Sequence, residues 1–239
     1  MQAVAPTLTD AIWPRIGVWR QDAVRDAVLM VGFAWFVALF AQIALRLPWT
    51  TVPVTGQTFA VLVTGGALGA WRGAGALAIY MLMGMIYIPV FAPGSGVTTG
   101  DWDLHFILPW EGTASLPWDI SSGGYIVGFI IAAALVGYLA ERQWDRKPWV
   151  HLGMLLGNAA LYVPGLLWLG YLIGTDWVSG GKPLGDWIAG ESTLDKTLIG
   201  GLYPFIVGDL MKLILASLTL PAAWALVQRY RGRDQDRPD

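Results

Sequence analysis

The chain has no cysteine, which removes disulfides, thiolate zinc sites, iron–sulfur ligation and thiol nucleophiles in one step. Charge is scarce as well. Asp, Glu, Lys and Arg make up 13% of the 239 residues, against about 25% in soluble domains. There is no G-x-x-x-x-G-K-S/T phosphate loop, so the chain cannot hydrolyse ATP by that mechanism. His105 and His151 stand far apart without the carboxylate spacing of a metal site, and neither is expected to be catalytic. No serine pairs with a histidine at membrane depth as an intramembrane protease would need. No basic footprint for nucleic acid is present. The first thirty residues interleave Asp10, Arg15, Arg20, Asp22, Arg25 and Asp26 with apolar residues, a pattern unlike a cleavable signal peptide.

What the chain does have is apolar surface. Hydrophobic residues make up 55% of it and tryptophan occurs 14 times, a composition that cannot stay soluble as a monomer. The fold class read from this is an all-α integral membrane protein. A bilayer core about 30 Å thick needs about 20 apolar residues per helix. Six stretches qualify, near 27 to 47, 53 to 70, 73 to 91, 123 to 140, 149 to 173 and 196 to 228. The second and third are joined by a tight turn at Trp71 and Arg72. Lys and Arg cluster in alternate connections: Arg15, Arg20 and Arg25; Arg72; Arg142, Arg146 and Lys147; Arg229, Arg231, Arg233 and Arg237. The positive-inside rule places these in the cytoplasm. Six transmembrane helices with both termini cytoplasmic satisfy every alternation.

Two further segments flank the membrane domain of residues 27–228, and two long loops lie within it. Residues 1–26 form a cytoplasmic N-terminal segment, in which Ile12, Trp13, Ile16 and Trp19 recur at helical spacing. That spacing fits an interfacial amphipathic helix, and a loose arm fits equally well. Residues 229–239 read as a charged cytoplasmic tail. The long outer loops at 92–122 and 174–195, rich in Gly, Trp and Asp, read as folded caps rather than tethers.

Chemistry is expected first at Asp209 and Lys212, inside an otherwise apolar span. Ionisable residues at membrane depth are costly, so the default reading is functional. Their spacing places them on one helix face, where they can pair; a purely structural ion pair is the competing reading. Pro204 loosens the helix just before them. Gln57 opens the second span and can offer amide donors and an acceptor. The run from Ser121 to Tyr125, including Gly124, precedes a helix whose free amides form an anion site. Phe91, Gly94 and Ser95 close the third span in a Gly-rich turn. All four groups lie towards the outside, which argues for a pocket opening there.

These residues resemble the BioY family, the biotin-binding S components of energy-coupling factor (ECF) transporters. The likeness is carried in order by Ala41-Gln42-Ile43, Pro53-Val54-Thr55-Gly56-Gln57-Thr58, Ile88-Pro89-Val90-Phe91-Ala92 with Gly94-Ser95-Gly96, Gly123-Gly124-Tyr125, Ala140-Glu141-Arg142, and Gly208-Asp209 with Lys212. It implies an ECF S-component-like fold that binds biotin from outside, needs no cofactor or metal, and docks on a coupling membrane subunit driven by two ATPase subunits. On that reading Asp209, Lys212 and Gln57 make polar contacts to the ligand. Phe91, Tyr125 and Tyr162 wall its rings, and the small residues Ala34 and Ala38 of the first helix face the coupling subunit. Two departures from the family pattern stand out: a much longer connection between spans 3 and 4, and no Lys or Arg from 73 to 141 to meet a ligand carboxylate. The alternatives are another vitamin on the same fold, an intramembrane enzyme using Asp209 and Lys212 as an acid–base pair, and a structural membrane protein with no ligand.

Overall fold

The structure is a computed structural model describing residues 5–96, 100–146 and 148–235; Lys147 and Arg237, counted above among the inner charges, lie outside them. Eight α-helices are described: α1 (Leu8–Ile12), α2 (Trp19–Ala41), α3 (Gln57–Leu68), α4 (Ala70–Met85), α5 (Gly123–Ala140), α6 (Val150–Gly174), α7 (Thr193–Gly201) and α8 (Ile206–Gln235). Four stretches, Trp19–Ala41, Gly123–Ala140, Val150–Gly174 and Thr193–Arg231, are long and apolar enough to cross a membrane. The 12-residue α3 is shorter, about 18 Å at 1.5 Å per residue. It is apolar almost all round, which suits a helix buried on every side, and it packs against α2, α4, α5 and α8.

Several element boundaries differ from expectation. The turn between the second and third spans falls at Gly69, where φ is +85°, so Arg72 lies within the first turns of α4. A Cβ at Gly69 would also sit 2.6 Å from Glu141 Oε1, the atom that accepts from the Ala70 N–H and caps α4. The first span stops at Ala41. Beyond it the chain forms β1 (Ile43–Arg46), which pairs antiparallel with β2 (Val54–Thr55) and with β3 (Asp103–Phe106). Gln42 turns the chain there: its carbonyl accepts the Ile107 N–H and its side-chain oxygen accepts the Glu111 N–H. The connection between α4 and α5, expected on the outer side, thus carries a strand of a small sheet. Pro204 sits in a 3₁₀ turn (Tyr203–Phe205) that divides the expected last span into α7 and α8. The charged tail is absorbed into α8 as far as Gln235.

The N-terminal segment is neither a continuous amphipathic helix nor a loose arm. A capping box between Thr7 and Asp10 starts the five-residue α1, Leu8 and Ala11 are buried, and Thr9 Oγ1 donates to the Ala67 carbonyl at 3.1 Å. Residues 13–18 are not helical, and Trp13, Ile16 and Trp19 are exposed. What holds the segment is charge. Arg72 and Arg25, both buried, each pair with Asp10 and Asp26, and Arg15 reaches Asp26 from outside.

A second buried charge sits between α5 and α6. Asp145 accepts a hydrogen bond from the Trp224 indole, and the Arg146 guanidinium lies 3.8 Å over that ring. Burial holds the Asp145 carboxyl above the ordinary aspartate range despite the Trp224 bond and Arg146. A group that binds its proton more tightly when folded loses stability as pH rises from the unfolded value through the folded one. Asp145→Asn keeps an acceptor for Trp224 and removes the charge, so its thermal midpoint in detergent at pH 7 should equal or exceed that of the parent. Asp145→Leu orphans the indole and should cost about 1–3 kcal/mol. A lower midpoint for the Asn variant would sink this account.

Candidate functional site

Between α3, α5, α6 and α8 lies a narrow cavity that opens to solvent, with about 530 Å³ of empty space when the open mouth is included. Its polar end is built on the first turn of α8, directly after the Pro204 break, where the helix N-terminus favours a negative group. Asp209, only 3% exposed, occupies that turn. Lys212 Nζ lies 2.5 Å from Asp209 Oδ1, and Thr58 Oγ1 donates to the same oxygen at 3.2 Å. Tyr162 donates to Oδ2 at 2.5 Å. Lys212 also donates to the Thr55 carbonyl at 2.9 Å. A carboxylate accepts about four hydrogen bonds and an ammonium donates three, so among the described residues each partner keeps one position unfilled.

Gln57 forms the adjoining wall. Its amide donates to the Tyr80 hydroxyl at 2.7 Å, Tyr80 donates to the Val90 carbonyl at 3.3 Å, and Thr55 Oγ1 donates to Gln57 Oε1 at 3.0 Å. The apolar end is aromatic. Tyr125 and Tyr162 meet edge to face at 6.0 Å, Tyr80 and Phe91 at 5.4 Å, and Phe129, Leu161 and Phe205 close the slot. Tyr125 is fixed by a 2.7 Å hydrogen bond to the Gly201 carbonyl, next to the α7–α8 break.

Seven of the nine expected binding residues line this cavity: Gln57, Phe91, Ser95, Tyr125, Tyr162, Asp209 and Lys212. Gly94 and Gly124 do not. A Cβ on Gly124 would lie 2.4 Å from the Pro164 carbonyl, so this glycine serves the close approach of α5 to α6. Gly94 turns the chain at φ +65° against Arg46. The amide anion site expected at the start of α5 is partly consumed, because the Gly123 and Tyr125 N–H groups donate to Ile120 and Ser122 carbonyls. What faces the cavity instead is Ser122 Oγ, buried and without a protein partner among the described residues. Ala34 and Ala38, expected at a subunit interface, are fully buried within the chain's own core. Their small side chains allow α2 to pack closely on its neighbours and are not available to another subunit here. Sequence reasoning passed over Thr58 and Tyr80. Tyr80 had a signal, since a phenol inside an apolar span must find a partner for its O–H.

Membrane-spanning helices closed around one polar-ended cavity define a multi-pass membrane protein organised about a small-molecule site. More specifically, the chain belongs to the BioY family, whose family model matches residues 11–100 and 112–229. It is 27% identical to the biotin transporter BioY of Thermotoga maritima over 82% of this chain and 88% of that protein. It is 28% identical to the biotin transporter BioY of Rhizobium etli, over 82% and 91% respectively. A crystal structure described as the S-component for biotin from an ECF-type ABC transporter shares the fold, with a TM-score of 0.60 at 19% identity over 84% of this chain and 92% of that one.

Proposed function

We propose that this protein is the biotin-capturing S component of an ECF transporter rather than an enzyme. The observation that carries the reading is the Asp209–Lys212 pair, buried at the polar end of an aromatic slot with one acceptor and one donor position unfilled among the described residues. A ureido group presents N–H donors beside a carbonyl acceptor, which matches that pair, and charge strengthens both bonds. Biotin's fused rings suit the slot between Phe91, Tyr125 and Tyr162. With no Lys or Arg between 73 and 141, the biotin carboxylate meets the Ser122 hydroxyl or solvent.

In the bilayer, α2 to α6 form five spans and the broken pair α7–α8 forms the sixth, with both termini in the cytoplasm. Arg142, Arg146 and the Arg-rich end of α8 support this orientation. The chain docks on a coupling membrane subunit driven by two ATPase subunits, which supply the energy for release inside. Equilibrium binding to detergent-purified protein tests the ligand: biotin should bind well below micromolar, and thiamin and riboflavin should not. No biotin binding below micromolar would overturn the proposal, and tight binding of either competitor would keep the fold and change the vitamin.

A further inference from the structure

The cap sheet is built inside out for a structure facing water. Pairing between β1 and β3 sets Ile43 opposite Phe106, Ala44 opposite His105, Leu45 opposite Leu104 and Arg46 opposite Asp103. Alternation along the strands then sorts these residues into two rows. One row is wholly apolar, Ile43, Leu45, Leu104 and Phe106. The other holds Ala44, Arg46, Asp103 and His105. A half-exposed sheet in water buries its apolar row. Here the reverse holds: Leu104 is 71% and Phe106 65% exposed, whereas Ala44 and His105 are buried. Arg46 and Asp103 pair with each other.

The apolar row continues past the strand into Leu108, 79% exposed, and then to Trp110. The Trp110 ring meets that of Trp35 on α2 at 6.3 Å. Val31, Trp35 and Leu39, spaced one turn apart, are outward-facing residues of α2, a helix long and apolar enough to span the membrane. The cap's apolar row is therefore continuous with a lipid-facing helix surface. Its tip also keeps few backbone donors for water. The Ile107 N–H donates to Gln42 and the Leu108 N–H to Phe106, Pro109 has no N–H, and the Glu111 N–H donates to the Gln42 side chain. The Trp110 indole donates to the Pro89 carbonyl at 2.7 Å. Glu111 turns its carboxylate to His105 Nδ1 at 3.5 Å, on the polar row. The family model leaves residues 101–111 unmatched, so this device belongs to a segment added to the common fold.

We infer that Leu104 to Trp110 is a membrane anchor whose apolar row lies in the lipid–water boundary beside α2, across β1 from the strand β2 whose Thr55 lines the cavity. Tryptophan at both its flanks suits that depth. The outer edge of β3, unpaired among the described residues, sets the limit of insertion, because open sheet edges are not tolerated in the hydrocarbon core. Through the β1–β2 pairing the anchor is tied to Thr55, which accepts from Lys212, so it holds the rim of the cavity at a fixed depth.

The absence of cysteine makes the test direct. Leu108→Cys and Asp101→Cys are each labelled with a nitroxide and reconstituted in phosphatidylcholine nanodiscs, and collision with oxygen and with a neutral nickel chelate is measured by EPR. The ratio of oxygen to nickel accessibility at Leu108 should exceed that at Asp101 at least threefold. Equal ratios with free access to nickel would show a water-exposed tip and overturn the inference. Low access to both reagents would place a protein surface there, such as a second copy, and would overturn it as well. Strong nickel access at Asp101 in its own, parallel sample is expected and reports that the cap's polar end faces water.

Discussion

Asp209→Asn lowers the biotin affinity of the purified chain by about 30- to 5,000-fold, the equivalent of about 2–5 kcal/mol for truncating one member of a buried, hydrogen-bonded charge pair. The substitution nearly preserves shape, removes the charge and turns one acceptor oxygen into a donor amide. Thr58 and Tyr162 then donate to a neutral amide or lose their acceptor, and Lys212 keeps only the Thr55 carbonyl. The lysine becomes a buried charge without a counter-ion, and the ureido group loses a charged acceptor. Tyr162→Phe removes one of three donors to Asp209 and should weaken binding by less, about tenfold for roughly 1.5 kcal/mol. The double change Asp209→Asn with Lys212→Met separates recognition from packing: it relieves the orphaned charge and should recover thermal stability without recovering binding. Titration calorimetry beside a melting curve reads both. A single Asn variant that binds biotin within threefold of the parent would remove the pair from recognition. One that binds normally but loses turnover of a substrate would favour the enzyme alternative.

The polar end of the site was legible because its two charges are close in sequence. Asp209 and Lys212 stand one helical turn apart in an apolar span, so the cost of burying them is visible without a fold. The aromatic slot was legible less directly, through Phe91 and Tyr125 at the ends of apolar runs. Thr58 lies beside Gln57 in the same quoted run, but a threonine in a helix ordinarily bonds its own backbone, and only the approach of α8 gives it Asp209. The β1–β3 sheet was not legible. Residues 42 to 47 continue the hydropathy of the preceding helix, and the strand that pairs with them lies some 57 residues on; local patterning carries no trace of such a partner. Ala34 and Ala38 show a different limit. Small residues at four-residue spacing permit close helix approach but do not say whose helix approaches, and in this chain the neighbours are its own. The charges expected at the inner end speak in the sequence for sidedness alone, and their number hid that Asp10, Arg25, Asp26 and Arg72 meet.

Their meeting leads to the largest stability effect expected here, at Arg72→Met. All five guanidinium donors of Arg72 are used: one to the Leu68 carbonyl, two to Asp10 as a fork, one to Asp26 and one to Thr7. Lysine has three donors and no planar fork, so Arg72→Lys can replace only part of this. Methionine fills the volume but leaves Asp10 and Asp26 to Arg25 and the half-exposed Arg15. Removing one member of a buried ion network costs about 3–5 kcal/mol, and for a chain of this size about 2–4 °C of melting temperature per kcal/mol. The midpoint should fall by roughly 6–20 °C, and protease should gain access to residues 13–18 as α1 lets go. Burial would raise the Asp10 carboxyl, but the bonds from Arg72 and Thr7, with Arg25, hold it well below the ordinary range. A depressed carboxyl stabilises fully above its unfolded value, about 3.9, and loses that contribution only as pH falls through the folded one. The deficit of Arg72→Met should therefore be constant from pH 8 to 5 and shrink only in strong acid. Adding Asp10→Asn should restore part of the loss, since it removes the charge that Arg72 no longer neutralises. Biotin affinity below the midpoint should stay within threefold of the parent, because no member of the network lines the cavity. A fall of less than 2 °C would mean that Arg25 alone suffices to hold both carboxylates, and that α1 is fastened by the packing of Leu8 and Ala11 rather than by charge.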